Sequence, residues 1–525
     1  MKPLAEVVDE NAAHAPDAPA FFGDRETLSW DGYRRRSDRL AGQLAALGLE
    51  RGERVAVWLP DGPGVHVAWL AAEKAGLPCV GIGPRAGSLE LRHLLAKTRA
   101  VALVSLARHA GSDVAAQVAS LRAEGLGLRH HLVVEDGLAE AAPLRVDGAP
   151  APEPAAGALR PLEARRLRPD EVSFFNSTSG TTGLPKCVVH DQARWLRFHE
   201  LAVEAGELSP RDVFLSALPA PFGFGIWTAH VTPALLGAPT ALLARFDAAE
   251  LARRIEAHRV SVLAAVSTQF MLLLDSPELD RRDVSSLRVL FTGGEAVPRA
   301  RAEEFERRTG ARVLQFYGSN ETGALSRTTA RDSRELRLSS AGRVIPAMQV
   351  RLFDEAGRDV TASGRGQPGC RGPVTSRGYL DDDEANAKLF TPDGWMLTGD
   401  IVTLDADGVL RVVGRVADFI IRGGKNVSAA EVEAAVGAHP AVSVAAAVAM
   451  PDPVFGERVC VYAELRTGGA LALEELNAHL RARGVSVELL PERLIVMDAL
   501  PRASGGKIAK GALRADIRRR VAEGA

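Results

Sequence analysis

The sequence predicts an α/β protein, with a large N-terminal portion of parallel and mixed sheets covered by helices and a small C-terminal α+β portion. Three observations predict it. Short β-branched runs alternate with amphipathic stretches over most of the chain, the rhythm of βαβ units. The apolar runs close on turns rich in Gly, Ser and Thr, as strand ends do in open parallel sheets. From about Gly414 the pattern changes to strand, Gly-rich turn, strand and short helix, ending in a basic helix. At 525 residues the chain is too long for one core, so two or more domains are expected, divided as 1–414 and 415–525.

Taken in order, Arg54–Leu59 reads as a strand and Val65–Lys74 as the helix that follows it. The Pro/Ala-rich stretch Ala149–Leu162 reads as a surface connection. Val172–Phe175 is an apolar strand that runs into a loop dense in hydroxyls and glycines. The clearest series follows: Val260–Val266, Gln269–Leu274, Leu287–Phe291, Pro298–Arg308 and Val313–Tyr317 read as neighbouring parallel strands with crossover helices. Ligands in such sheets sit beyond the carboxyl ends of the strands, which makes Thr292–Ala296 and Gly318–Gly323 candidate site loops. Leu473–Arg483 reads as a helix of the C-terminal portion, and no internal repeat stands out.

Composition excludes several classes. Basic and acidic residues number 64 and 66, giving a net charge of −2, so no bulk field draws the chain to nucleic acid or an anionic membrane. With 46% hydrophobic and 25% charged residues it is an ordinary globular composition. Cys79, Cys187, Cys370 and Cys460 lie far apart without a C-x-x-C pair, which indicates neither structural zinc nor a disulfide framework and fits a reducing cytoplasm. The N-terminus turns acidic before a signal-length apolar stretch accumulates, and no later run approaches the roughly 18 apolar residues of a membrane span. His130–Gly137 reads as strand plus loop, Asp381–Glu384 as a solvated turn or helix start, and Arg34–Arg36 and Arg518–Arg520 as solvated helix faces.

The strongest local signal is Asn176–Lys186, which crowds hydroxyls, glycines and one lysine into a loop directly after a strand. Glycine permits backbone N–H groups to face phosphate oxygens, Ser and Thr add donors, and Lys adds positive charge. Nucleotide triphosphate binding is the chemistry implied. Gly180, Gly183 and Lys186 are spaced three apart, so this is not a Walker A loop.

Six ordered motifs carry a wider resemblance: Ser177–Lys186, Gly293–Ala296, Phe316–Gly323, Gly394–Asp400, Gly414–Asn426 and Pro501–Lys507. Nearly end to end, the chain resembles the adenylate-forming superfamily of acyl-CoA synthetases, luciferases and peptide-synthetase adenylation domains, and most of all a carboxylic acid–CoA ligase. The resemblance implies a carboxylate that attacks the α-phosphate of ATP, releasing pyrophosphate, and a thiol that then displaces AMP. By resemblance, Lys507 of a mobile C-terminal lid bridges carboxylate and α-phosphate, Lys186 serves the phosphates, and Glu321 holds Mg²⁺. The phosphate loop implies Thr178, Ser179, Gly180, Thr181 and Thr182 around the nucleotide, and the resemblance adds Gln315, Gly318 and Asn320. Tyr317 resembles the ring stacked on adenine, Gly294, Glu295 and Ala296 the strip on its other face, and Asp400 with Arg415 the ribose site.

For the acid, Pro219–Trp227 resembles the stretch that reads Phe-Asp-x-x-x-Trp in amino-acid-activating relatives, and the Asp position is Gly223 here. An ammonium buried there without a carboxylate would be costly, which argues against an α-amino acid. Phe222, Phe224 and Trp227 offer an apolar wall, with Gly223 and Gly225 expected to leave volume beside it and Gly293 lining the same site. A bulky alicyclic, terpenoid or aromatic acid is the substrate class implied. Gly423 and Gly424 resemble the loop flanking a pantetheine channel, and Phe455 an aromatic that contacts the adenine of coenzyme A. Free CoA is favoured as acceptor, with a carrier protein left open.

Several positions depart from the family pattern. Cys187 stands for a glycine, Asn320 for a threonine, Ala417 for a charged hinge residue, and Ala503 and Gly505 for hydroxyl residues. Cys187 and Asn320 are expected around the phosphates, so a chain impaired in adenylation that works on preformed acyl-adenylate is the runner-up. A non-catalytic nucleotide-binding relic is the third reading.

Overall fold

In the computed structural model the described residues are all but 110, 135–137, 139–143, 153–161, 179–184, 296, 423–424, 467–468, 504–506 and 524–525, with 417, 425 and 426 described by their backbone alone. Two large sheets form the N-terminal domain. In the nine-stranded sheet, Val262–Ala264, Val289–Gly293 and Arg312–Ser319 are parallel neighbours, joined through the helices Ser267–Asp275 and Arg299–Thr309. These are the strands and crossovers that the apolar periodicity predicts. They are buried on both faces, as continuous Val/Leu/Phe runs require.

The eight-stranded sheet holds Val55–Trp58 between Ala102–Ser105 and Cys79–Gly81, with Val172–Ser177 and Cys187–Asp191 as an antiparallel pair at its end. The helix after Val55–Trp58 is Pro63–Lys74, starting before the expected Val65 because Pro63 opens it. Ala149–Pro150 pairs with Leu144–Val146 at the opposite edge, so the expected surface connection begins as an edge strand. A five-stranded sheet, including Asp400–Leu404 and Leu410–Arg415, follows. The C-terminal domain has its own sheet of five strands, Phe419–Arg422, Lys425–Ser428, Val442–Asp452, Gly456–Leu465 and Arg493–Val496, with the helices Leu473–Ala482 and Lys510–Ala522.

The two domains share an apolar cluster. Phe270, Leu273 and Leu274 of the helix Ser267–Asp275 lie in one core with Val444, Ala446, Tyr462 and Ile517 of the C-terminal domain. Polar contacts register it: Asp275 accepts from Ser443 Oγ at 2.8 Å and from Arg466 Nη1 at 2.9 Å. Among the described residues no helix is long and apolar enough to cross a membrane, and all four cysteines are free and buried. Asp382 caps the helix Asp383–Leu389, which accounts for the acidic run there.

Candidate active site

The carboxyl ends of the parallel strands converge with the C-terminal domain at Gly294. That residue has φ of 76°, and a Cβ placed on it would stand 2.8 Å from Lys507 Nζ. Glycine is required here twice, for the backbone conformation and for the approach of the lysine. Lys507 is surrounded by Glu295, Arg415, Glu321 and Asp400. Burial holds its pKa below the ordinary 10.5; Arg415 lowers it further, while the three carboxylates oppose the shift. Glu295 is held at the first turn of the helix Ser267–Asp275, accepting from Thr268 N at 3.2 Å and Thr268 Oγ1 at 3.1 Å. Gly293 ends its strand opposite Phe316, and Ala296 lies outside the described residues.

Strand register places Asp400 directly opposite Arg415. Asp400 is buried; its Oδ1 accepts from Arg415 Nε at 3.1 Å and its Oδ2 from the Tyr317 hydroxyl at 2.8 Å. Burial raises the Asp400 pKa and Arg415 opposes the rise, while burial beside Asp400 pushes the Tyr317 phenol well above its usual range. Each carboxylate oxygen keeps acceptor capacity for one more donor, such as a vicinal hydroxyl. Gln315 turns away from this group: its amide donates to the Arg337 carbonyl at 2.9 Å. Gly318 sits at the irregularity in register between Tyr317 and Gly318, where the strand breaks into the Ser319–Thr322 turn.

Lys186 and Glu321 meet through a residue that no local motif singles out. Lys186 Nζ lies 4.7 Å above the Tyr379 ring, and the Tyr379 hydroxyl donates to Glu321 Oε1 at 2.7 Å. Tyr379 reaches the site through a bridge to Val188, a contact between segments far apart in sequence. Thr178 N donates to the Lys186 carbonyl at 2.9 Å, closing the neck of the phosphate loop. Ser179, Gly180, Thr181 and Thr182 lie outside the described residues. Among the described residues no cation pairs with Glu321 and no group of three His, Cys, Asp or Glu could hold a metal ion. A lone carboxylate suits Mg²⁺, which takes its remaining ligands from phosphates and water.

The acid side corrects the volume expected there. A Cβ on Gly223 would stand 2.7 Å from Asn320 Oδ1 and 3.2 Å from Trp195 Cη2, and one on Gly225 would stand 2.4 Å from the Pro219 carbonyl oxygen. At both glycines the space a side chain would take is already filled by these neighbours. Trp227 is core, 1% exposed, with its ring packed on Phe198, Phe224, Phe291 and Phe316. Phe222 and Phe224 are half-buried.

Cys187 also departs from expectation. Its side chain lies in the core with Trp58, Val80 and Phe175, and burial pushes its thiol up to about 12. Lys186 directly precedes the strand and is half-buried, whereas Cys187, the first strand residue, is buried. Gly423 and Gly424 lie outside the described residues, as does the side chain of Ala417. Its neighbour Asp418 is anchored by Lys510 at 3.3 Å and by Arg514. Phe455 stands on a hairpin, 42% exposed, with the Arg458 guanidinium 4.9 Å from its ring. The structure thus gathers Lys507, Glu321, Asp400, Arg415, Tyr317, Gly294 and Glu295, and leaves Phe455 and Gln315 outside the group.

Residues 8–380 match the family model described as AMP-binding enzyme, and 431–507 match the AMP-binding enzyme C-terminal domain. The chain is 34% identical over 99% of its length to "Pyochelin synthase PchD" of Pseudomonas aeruginosa, covering 93% of that protein. It is 33% identical over 97% of its length to "Salicyl-AMP ligase / salicyl-S-ArCP synthetase" of Mycobacterium tuberculosis, covering 90% of that protein. The fold superposes on the anthranilate CoA ligase AuaEII in complex with anthranoyl-AMP with a TM-score of 0.87 at 22% identity, covering 99% of this chain and 98% of that one. The chain belongs to the AMP-binding enzyme family, the adenylate-forming ligases.

Proposed function

We propose that the protein joins a bulky apolar carboxylic acid, aromatic in preference to alicyclic or terpenoid, to the thiol of coenzyme A through an acyl-adenylate. The observation that carries this reading is Lys507 Nζ at Gly294, among Glu321, Asp400 and Glu295. Two anions must approach for the first step, and a cation at their meeting point lowers that barrier more than it lowers the energy of either reactant. A carboxylate oxygen attacks the α-phosphorus, and the bond to pyrophosphate breaks. The thiol sulfur then attacks the acyl carbon, the bond to AMP breaks, and the thiol proton passes to solvent.

In this reading Asp400 accepts the ribose hydroxyls, Tyr317 flanks the base with the Gly294–Ala296 strip opposite, and Lys186 with Thr178–Thr182 holds the phosphates. Glu321, oriented by Tyr379, would hold Mg²⁺, which supplies charge neutralisation at the phosphates. The domains divide at 414 and 415, the second being a lid that carries Lys507 and presents Gly423, Gly424 and Phe455 to CoA when it turns. The site works in the cytoplasm, where ATP and CoA are supplied.

The lack of a carboxylate at Gly223 supports an acid without an ammonium group. The likeness to the salicyl-AMP ligase and to the anthranilate CoA ligase supports an aromatic one. Core packing of Cys187 removes one ground for impaired adenylation. The test is pyrophosphate–ATP exchange with benzoate, cyclohexanecarboxylate and a terpenoid acid, followed by thioester assay with CoA. Acid-dependent exchange and an acyl-CoA product are expected. Thioester on an aryl carrier protein but not on CoA would replace the acceptor; thioester from preformed acyl-adenylate without exchange would favour the impaired chain. AMP release by neither route would favour a binding relic.

A further inference from the structure

Behind the acid side lies a group of four side chains, Arg194, His190 and Asn176 buried and Asn320 half-buried, that the proposed chemistry leaves unused. Arg194 is 2% exposed and, among the described residues, forms no ion pair with a carboxylate. Its Nη1 donates to the Asn320 carbonyl at 3.0 Å and to His190 Nδ1. Because arginine only donates, His190 Nδ1 must accept, and His190 Nε2 then carries the proton. It gives that proton to Asn176 Oδ1 at 2.7 Å. Asn176 Oδ1 also accepts from Asn320 Nδ2 at 2.7 Å, while Asn176 Nδ2 donates to the Pro221 carbonyl at 2.9 Å and to Asn320 Oδ1 at 3.2 Å. Every direction in the chain follows from its arginine end.

The same arginine governs the second wall. Its guanidinium lies 4.6 Å from the Trp195 ring centre. Asn320 Oδ1 and Trp195 Cη2 are the two atoms that meet a Cβ placed on Gly223. One buried cation therefore holds both surfaces that close the site at Gly223. Burial lowers the Arg194 pKa to about 10 and the His190 pKa well below its usual value, so the pair is retained at a cost that an apolar core would not carry.

Resting on the acyl-adenylate reading above, we propose that Asn320 is a specificity-determining residue and that Arg194, through His190, Asn176 and Trp195, is its positioning residue. The closed wall at Gly223 admits an acid whose carboxyl sits on a flat, unsubstituted ring carbon and rejects one with a branch at the α-carbon. A mismatch of this size in an apolar pocket is worth about 10–200-fold.

The test uses the full chain and two non-hydrolysable acyl-sulfamoyl adenosines, benzoyl and 2-phenylpropanoyl, with binding read by calorimetry and pyrophosphate–ATP exchange read with the parent acids. The wild type is expected to favour the benzoyl compound by at least about tenfold. Asn320→Ala should bring that ratio close to one. His190→Leu, which cuts the relay, should do the same without touching Asn320, whereas His190→Gln, which can still accept and donate, should keep the wild-type ratio. A loss of fold would reduce both affinities together and leave the ratio alone, so the ratio separates positioning from stability.

An unchanged ratio in Asn320→Ala would overturn the specificity role. An altered ratio in Asn320→Ala with wild-type behaviour in a folded His190→Leu would overturn the relay. Should His190→Leu not fold, Arg194→Lys replaces it and is judged by the same ratio. Binding of neither analogue would overturn this proposal and the adenylate reading together. Discrimination in binding without exchange would overturn only the latter.

Discussion

On the reading proposed above, the nucleotide side and the acid side of the site are built from opposite materials. On the nucleotide side, Lys507, Glu321, Asp400, Arg415 and Glu295 stand as charged groups with acceptor or donor capacity left over. On the acid side, Asn176, Asn320 and His190 are neutral and spend their polar atoms on each other, on the Pro221 carbonyl and on the buried Arg194. The first arrangement responds to a ligand's charge and the second to its shape. Substitutions on the nucleotide side should therefore change rates for every acid alike, and substitutions on the acid side should change the ranking of acids.

Glu321→Ala should sharpen this contrast most. Removing the carboxylate that accepts from the Tyr379 hydroxyl is expected to lower exchange by about 10²–10³-fold for all acids, the usual cost of one charge-stabilising group. Exchange assayed at several Mg²⁺ concentrations checks it; an acid-dependent loss would break the contrast. Gly294→Ala comes next. Its Cβ would meet Lys507 Nζ in a backbone conformation that L side chains rarely adopt, so a drop of about tenfold or more is expected, again uniform across acids.

The smallest of these effects is a displaced pH limb. In the role proposed for it Lys507 must be protonated, and its pKa is lowered from the ordinary 10.5, chiefly by burial. As pH rises through that lowered value the cation is lost, so kcat/KM for adenylation should fall at a pH below the usual lysine range. Bound nucleotide brings negative charge and raises the pKa, so the limb in kcat should lie at higher pH. Coincident limbs at the ordinary value would contradict the buried setting.

The same division explains what could be read before folding. The nucleotide side rests on contiguous motifs, so Gly293–Ala296, Phe316–Gly323 and Lys507 announce themselves, and the parallel strands beneath follow from apolar periodicity. Tyr379 escapes because its role comes only from pairing with Val188. On the acid side the absence of a side chain at Gly223 does not translate into space, because Asn320, 97 positions along the chain, fills it. Likewise Trp227 and Cys187 belong to core faces that a linear motif does not distinguish from site faces. Local pattern reports chemistry held in one segment, whereas volume is set by segments that meet only in three dimensions.

Lys507→Ala gives the most direct measurement, with both half-reactions assayed in one preparation. Pyrophosphate–ATP exchange should fall by about 10²–10³-fold, while conversion of added acyl-adenylate and CoA to thioester and AMP should stay within about threefold of wild type. Exchange that survives the substitution, in a protein whose wild type supports it, would contradict the placement of the C-terminal lysine at the reacting phosphate.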